Sequence, residues 1–201
     1  FLRSGVRHVL CEKPLAMGAS EALEVWAAAR ESDGVVMEGL MFRHHPAFRR
    51  FERLVASGEA GRVESLRGSF HWRDEEEAAA DDPKREWIQR PECGGGVPFD
   101  FGCYVVHALN RLAPGRPVRV QAAGGRSEKY GTVARLYGTI EYEGGAVRLV
   151  EASFRADCSQ ELQVHGSRGV ARLPVAWTVM GPTQIQFRHA TGWCELQTDR
   201  L

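Results

Sequence analysis

Three short stretches carry side chains whose types and spacing suit catalysis. The first is Cys11-Glu12-Lys13-Pro14, directly after the apolar run Val6-Arg7-His8-Val9-Leu10. A lysine at the tip of a parallel strand stands where open α/β sheets bind ligands. Pro14 there suits a cis peptide bond that fixes the turn. The plain alternative is a solvated surface lysine. The second stretch runs from Gly94-Gly95-Gly96 through Asp100 and Tyr104 to His107. If a helix starts at Asp100, Tyr104 and His107 share its face at i+4 and i+7. An acid, a phenol and an imidazole on one stripe, beside a mobile triple glycine, could pass protons. The alternative is a helix-capping Asp, a core Tyr and a partly buried His. The third stretch is Met41-Phe42-Arg43-His44-His45-Pro46. Arg43 suits a phosphate, or stacking on a nicotinamide or sugar. His44-His45 lacks the spacing of a metal pair on a helix, and no nearby carboxylate completes a ligand set.

Strands and helices must position these groups. Val6–Cys11 reads as a strand. Ser20 is a candidate helix N-cap, with Glu21 and Glu24 in the first turn. Ala22, Leu23, Trp26 and Ala27 then recur at helical spacing, and Asp33-Gly34 stops the helix. Val35 to Met41 reads as a second strand. Strand, helix, strand at this spacing is a βαβ unit with a parallel sheet. His45-Pro46 opens another helix with Phe48, Phe51 and Leu54 on its apolar face. Arg62 to Trp72 reads as a long strand. Asp74 to Lys84 reads as an acidic, Ala-rich surface loop or short helix. The triple glycine reads as a flexible turn before a helix over 100–112. Five β-type runs follow: Val118–Ala123, Val133–Tyr142, Ala146–Phe154, Glu161–His165 and Gly169–Leu173. Turns such as Glu143-Gly144-Gly145 link them into an antiparallel sheet. The fold class expected is α/β plus α+β: a partial Rossmann-type parallel sheet over 1–45, then an α+β domain over 46–201 with a large, mostly antiparallel open sheet.

Composition narrows the partners. The 201 residues hold 26 basic and 26 acidic side chains, so the formal net charge is zero. That gives no electrostatic case for nucleic acid or an anionic membrane. No apolar run approaches the ~20 residues of a membrane span. Five cysteines without a CxxC pair argue against tetrahedral zinc and for reduced thiols in the cytoplasm. The sequence contains no G-x-G-x-x-G, no P-loop and no G-x-S-x-G elbow. It enters a strand almost at once without an initiator Met, which predicts that the chain is a fragment with sequence upstream.

Taken together, the stretches resemble the Gfo/Idh/MocA oxidoreductases. Gly5 to Ala16 looks like that family's strand ending in Glu-Lys-Pro. Glu38 to Pro46 looks like its next strand and Arg-x-x-Pro element. Gly58-Glu59-Ala60-Gly61-Arg62-Val63 looks like its link into the second domain. Gly94 to Tyr104 looks like its "G-G-G-a-l-x-D-x-G-c-Y" segment. The resemblance implies NADP or NAD as cofactor and a sugar, polyol or trans-dihydrodiol as substrate. It implies Lys13, Asp100 and Tyr104 as catalytic residues. Tyr rather than His at 104 leans toward the dihydrodiol- and xylose-dehydrogenase-like branch. Glu12, Lys13, Pro14 and Arg43 would line the cofactor, and His107 and Trp87 would meet the substrate. A lysine made less basic by burial, or a tyrosinate stabilised by that lysine, would take the hydroxyl proton. The family's glycine-rich phosphate loop has no counterpart in these residues. The open sheet implies a homodimer, because an uncovered apolar face must be buried. Two competitors are a non-catalytic dimerisation or binding module and a metal hydrolase using His44, His45 and Asp100.

Overall fold

A computed structural model describes residues 1–73, 86–113, 115–179, 181, 183–189 and 191–197. The expected acidic loop over 74–84 lies wholly outside the described residues. The first unit is small. Strand β1 (His8–Cys11) pairs in parallel with β2 (Val35–Glu38), and helix α1 (Ala19–Glu31) connects them. The register sets Cys11 opposite Glu38, so both strands end together. Ser20 does not cap α1. Gly18 is the N-cap, and the Glu21 carboxylate instead accepts from the Met17 amide at 2.8 Å. This first-turn acid reaches back past the N-cap and ties the preceding residue to the helix start. The helical spacing of Leu23 and Trp26 is met, but both are exposed, and no residue of the helix is fully buried.

The second unit is built on an eight-stranded sheet. Its strands are β3 (Val63–His71), β4 (Pro117–Arg126), β5 (Val133–Tyr142), β6 (Val147–Ser153), β7 (Leu162–Gly166), β8 (Val170–Leu173), β9 (Gln184–His189) and β10 (Gly192–Gln197). Their spatial order is β10-β9-β8-β7-β3-β6-β5-β4. All neighbours are antiparallel except the interior pair β3 and β6. The last two strands were not foreseen from the sequence, although Gln184–His189 alternates polar and apolar residues and buries Ile185 and Phe187.

Two helices cover one face. Helix α2 (Pro46–Ala56) opens on His45, whose imidazole Nδ1 accepts from the Ala47 amide at 3.1 Å. Phe48, Phe51 and Leu54 are buried, as the spacing predicts. Helix α4 (Cys103–Leu112) lies so close to β3 that a Cβ on Gly68 would meet Val105. One core joins both helices to the sheet, and Leu40 and Phe42 from the preceding segment belong to it. Around Phe42, the rings of Phe48 and Trp177 pack edge-on at centroid distances of 4.8 and 5.1 Å. At its C-terminal end α4 is tied down by the buried Arg148, which donates to Asn110 and to the Ala113 carbonyl and stacks on Tyr142.

The uncovered face differs from expectation. Because Gly68 and Leu66 point at the helices, Arg67 and His71 point away from them. Arg67 makes a bidentate pair with Glu151 at 2.8 and 2.9 Å, and Arg172 pairs with Glu161 at 2.7 Å. This face is a polar, ion-paired surface rather than a bare apolar one. The apolar argument for a dimer therefore does not apply to it.

Candidate functional site

The chemistry sits where β1 and the start of α4 converge. β1 ends at Cys11, and the Lys13–Pro14 peptide bond is cis, as the sequence suggests. The Lys13 ammonium reaches across to Asp100, binding its carboxylate and, at 3.1 Å, its backbone carbonyl. Their side chains are only 15% and 16% exposed. Residues 87 positions apart thus meet in a part-buried ion pair. The same ammonium lies 5.3 Å from the centroid of the Tyr104 ring, within cation–π range.

Asp100 is not the first residue of an α-helix. It lies in a single π-type turn, Pro98–Gly102, and α4 begins only at Cys103. Such turns recur at functional sites because they re-aim a side chain within a helix. The triple glycine before it is not a loose hinge. Gly94, Gly95 and Gly96 donate to the carbonyls of Pro91, Arg90 and Ile88 at 2.7 to 3.1 Å. A Cβ at Gly95 would come within 2.6 Å of the Arg90 backbone, and Gly96 has φ of 103° against β5. Close backbone approach and positive φ explain the glycines; the Asp100 amide closes the turn on the Gly96 carbonyl at 3.1 Å.

Tyr104 is 6% exposed. Burial first, then the neighbouring Cys103 and the Asp100, Glu12 and Glu38 carboxylates, raise its phenol above the ordinary range. Its hydroxyl donates to the Met41 thioether at 3.5 Å, a weak acceptor. The tyrosinate stabilised by Lys13 that the sequence suggested is not favoured here: the ammonium lies against the ring, and the phenol keeps its proton. Cys103, beside the ion pair, is pushed up to about 12, chiefly by burial, and its thiol donates to the Phe99 carbonyl at 3.1 Å.

His107 lies one turn along α4. Burial, then Arg43 and Arg111, pull it down to about 4, so the imidazole is neutral at pH 7. Its Nε2 is buried without a hydrogen-bond partner, and so is the Nε of Arg43. Buried polar atoms without partners are uncommon and ask for a ligand or water. Trp87 is on the short helix α3 (Glu86–Gln89), its side chain outside the described residues. Glu12 is exposed at the tip of β1. His45 spends its Nδ1 lone pair on the α2 cap, and His44 is exposed beside Arg49. Among the described residues no group of three or more His, Cys, Asp or Glu could hold a metal ion. Among them no helix is long and apolar enough to cross a membrane.

Sequence reasoning overlooked Glu38 and Met41. Glu38 accepts the Leu15 amide at 2.9 Å just past Lys13. Its place opposite Cys11 on the paired strand was the available signal, and it needed the register to be read.

Residues 48–172 match a family model described as the GFO/IDH/MocA C-terminal domain, and residues 1–40 match one described as an oxidoreductase family, NAD-binding Rossmann fold. A D-xylose 1-dehydrogenase (NADP(+)) of Haloferax volcanii is 35% identical over 92% of this chain and 54% of its own length. A trans-1,2-dihydrobenzene-1,2-diol dehydrogenase of Oryctolagus cuniculus is 31% identical over 86% of this chain and 50% of its own. The chain thus spans about half the length of these relatives. Among solved structures, a 3-ketoreductase from Actinomadura kijaniata with NADP superposes at TM-score 0.86 and 21% identity, over 99% of this chain and 59% of its own. An inositol dehydrogenase homologue from Azotobacter vinelandii with NAD+ gives 0.85 and 23%, over 98% and 52%. Those two likenesses speak to the fold.

Proposed function

The chain belongs to the GFO/IDH/MocA oxidoreductase family, and on that premise we propose that the protein is an NAD(P)-dependent dehydrogenase or reductase acting on the CH–OH or C=O group of a sugar, polyol or trans-dihydrodiol. The observation that carries this reading is the shielded Lys13–Asp100 ion pair over the Tyr104 ring.

When bound, the nicotinamide supplies or accepts the hydride. Glu12, Lys13 and Pro14 at the tip of β1 would hold it, together with Arg43. The buried, unpartnered Arg43 Nε fits a polar group of such a ligand. In the reducing direction, the Lys13 ammonium donates a hydrogen bond to the substrate carbonyl oxygen and then its proton. In the oxidising direction, the neutral amine takes the hydroxyl proton and becomes the ammonium that Asp100 stabilises. Tyr104 is protonated, and its hydroxyl, which donates to a weak thioether acceptor, can turn toward a substrate oxygen. His107, neutral and unpartnered at Nε2, would accept from or donate to a substrate hydroxyl, and Trp87 is proposed as a further substrate contact. The names of the xylose and dihydrodiol relatives support this substrate class.

The proposal extends to a homodimer across the open sheet face. Light scattering on the pure protein tests it; a monomer at micromolar concentration excludes it. All five cysteines are free thiols, which supports the cytoplasmic location expected from the sequence. The direct test of function is a panel of pentoses, hexoses and diols with NAD and NADP on the full gene product. Turnover of at least one class is expected; inertness toward all three with both cofactors would refute the reading.

A further inference from the structure

We infer that Glu38 is a positioning residue for Lys13, acting through the backbone amide of Leu15. The inference rests on the catalytic reading of Lys13 above and adds to it a residue on another strand.

The segment leaving β1 has few ways to be held. Pro14 has no amide hydrogen, so the Leu15 N–H is the first donor the chain offers after Lys13. That donor goes to the Glu38 carboxylate at 2.9 Å in a part-buried setting. Glu38 is itself fixed by strand pairing. It lies opposite Cys11 in the parallel register, and the next amide, Gly39, donates to the Cys11 carbonyl at 2.7 Å. At Gly39 the chain passes so near that a Cβ would meet the Cys11 carbonyl and the Glu12 side chain at 3.3 and 3.4 Å. β2 therefore grips the lysine-bearing turn from both sides of Lys13, by the Cys11 carbonyl before it and the Leu15 amide after it. Lys13 spans the gap to Asp100 only if that turn keeps its place. Losing the grip frees the turn while leaving every group of the ion pair intact. A displacement near 1 Å at a catalytic group costs roughly a hundredfold in rate.

Two substitutions separate geometry from charge. Glu38→Gln keeps a carbonyl acceptor at the same reach and removes the negative charge. Glu38→Asp keeps the charge and withdraws the acceptor by one methylene. The sequence has three lysines, Lys13, Lys84 and Lys129, so a nitrogen-15 lysine ammonium spectrum is assignable with Lys13→Arg as the reference. The unaltered chain should show a slowly exchanging Lys13 ammonium signal, kept in Glu38→Gln and lost in Glu38→Asp. In the full gene product kcat should fall about tenfold or more in Glu38→Asp with KM nearly unchanged, and recover in Glu38→Gln. A signal and kcat that survive in Glu38→Asp, or that vanish in Glu38→Gln but not in Glu38→Asp, would overturn the inference. No Lys13 signal in the unaltered chain would instead refute the ion pair and the catalytic reading with it.

Discussion

The β1–α1–β2 unit and the eight-stranded unit hold the two halves of one proposed site under opposite conditions. The first is thinly buried: α1 has no fully buried residue, and Leu10, Leu23 and Trp26 are exposed. The second packs Phe48, Phe51, Trp177, Leu162 and Ile185 at 1% exposure or less. Lys13 comes from the thin unit and Asp100 and Tyr104 from the dense one. A reactive group on a lightly packed strand needs anchors beyond that strand, and here these are Asp100 from the dense unit and Glu38 from the neighbouring strand β2. The dense unit needs none, because its helix start is set by Gly96 against β5 and by Gly95 against the Arg90 backbone, and its helix end by Arg148.

The sharpest way to break this comparison is to remove an anchor's chemistry. Lys13→Met or Asp100→Asn in the full gene product should lower kcat/KM by roughly 10²–10⁴-fold, the usual weight of a proton-transfer group. A loss under threefold in steady-state assays would remove these residues from the proposed mechanism. Packing gives the next effect. Phe51→Ala should cost about 3–5 kcal/mol of unfolding free energy, whereas Trp26→Ser should stay within about 0.5 kcal/mol. Urea unfolding of this chain checks both, and a comparable cost for Trp26→Ser would mean that α1 is as tightly packed as α2.

Cofactor binding sharpens the contrast further. No G-x-G-x-x-G occurs in these residues, so the dinucleotide phosphates lack their usual cradle. The 201-residue chain should show no micromolar affinity for NADPH by titration calorimetry; tight binding would show that the β1 tip and Arg43 suffice. The smallest effect concerns His107. Its folded-state value, about 4, lies below the ordinary 6.5. The unfolded chain thus takes up the proton first, and stability present above pH 6.5 is lost as pH falls toward 4. His107→Gln should flatten that slope by roughly 1–2 kcal/mol once solvent screening is allowed for. Equal slopes for both proteins in acid titrations of the unfolding midpoint would show that the burial of His107 is not felt.

The sequence by itself determined the elements with strong patterns. Val133–Tyr142 runs as a strand over the residues its alternation picks out. His45-Pro46 starts a helix whose Phe48, Phe51 and Leu54 face inward. Lys13, Asp100 and Tyr104 were legible as candidates, because residue type and the Glu-Lys-Pro and triple-glycine stretches are local signals. Tertiary structure decided the rest. Whether an apolar stripe is buried depends on what faces it, and among the described residues Leu23 and Trp26 of α1 stay exposed. The polarity of the open face followed from which alternate residues α4 covers. The π-type turn at Asp100, the protonated state of Tyr104 and the grip of Glu38 on Leu15 all arise from groups far apart in the chain. Spacing along a sequence fixes which residues share a face; only the folded chain fixes what stands opposite, and opposition sets charge, proton affinity and reach.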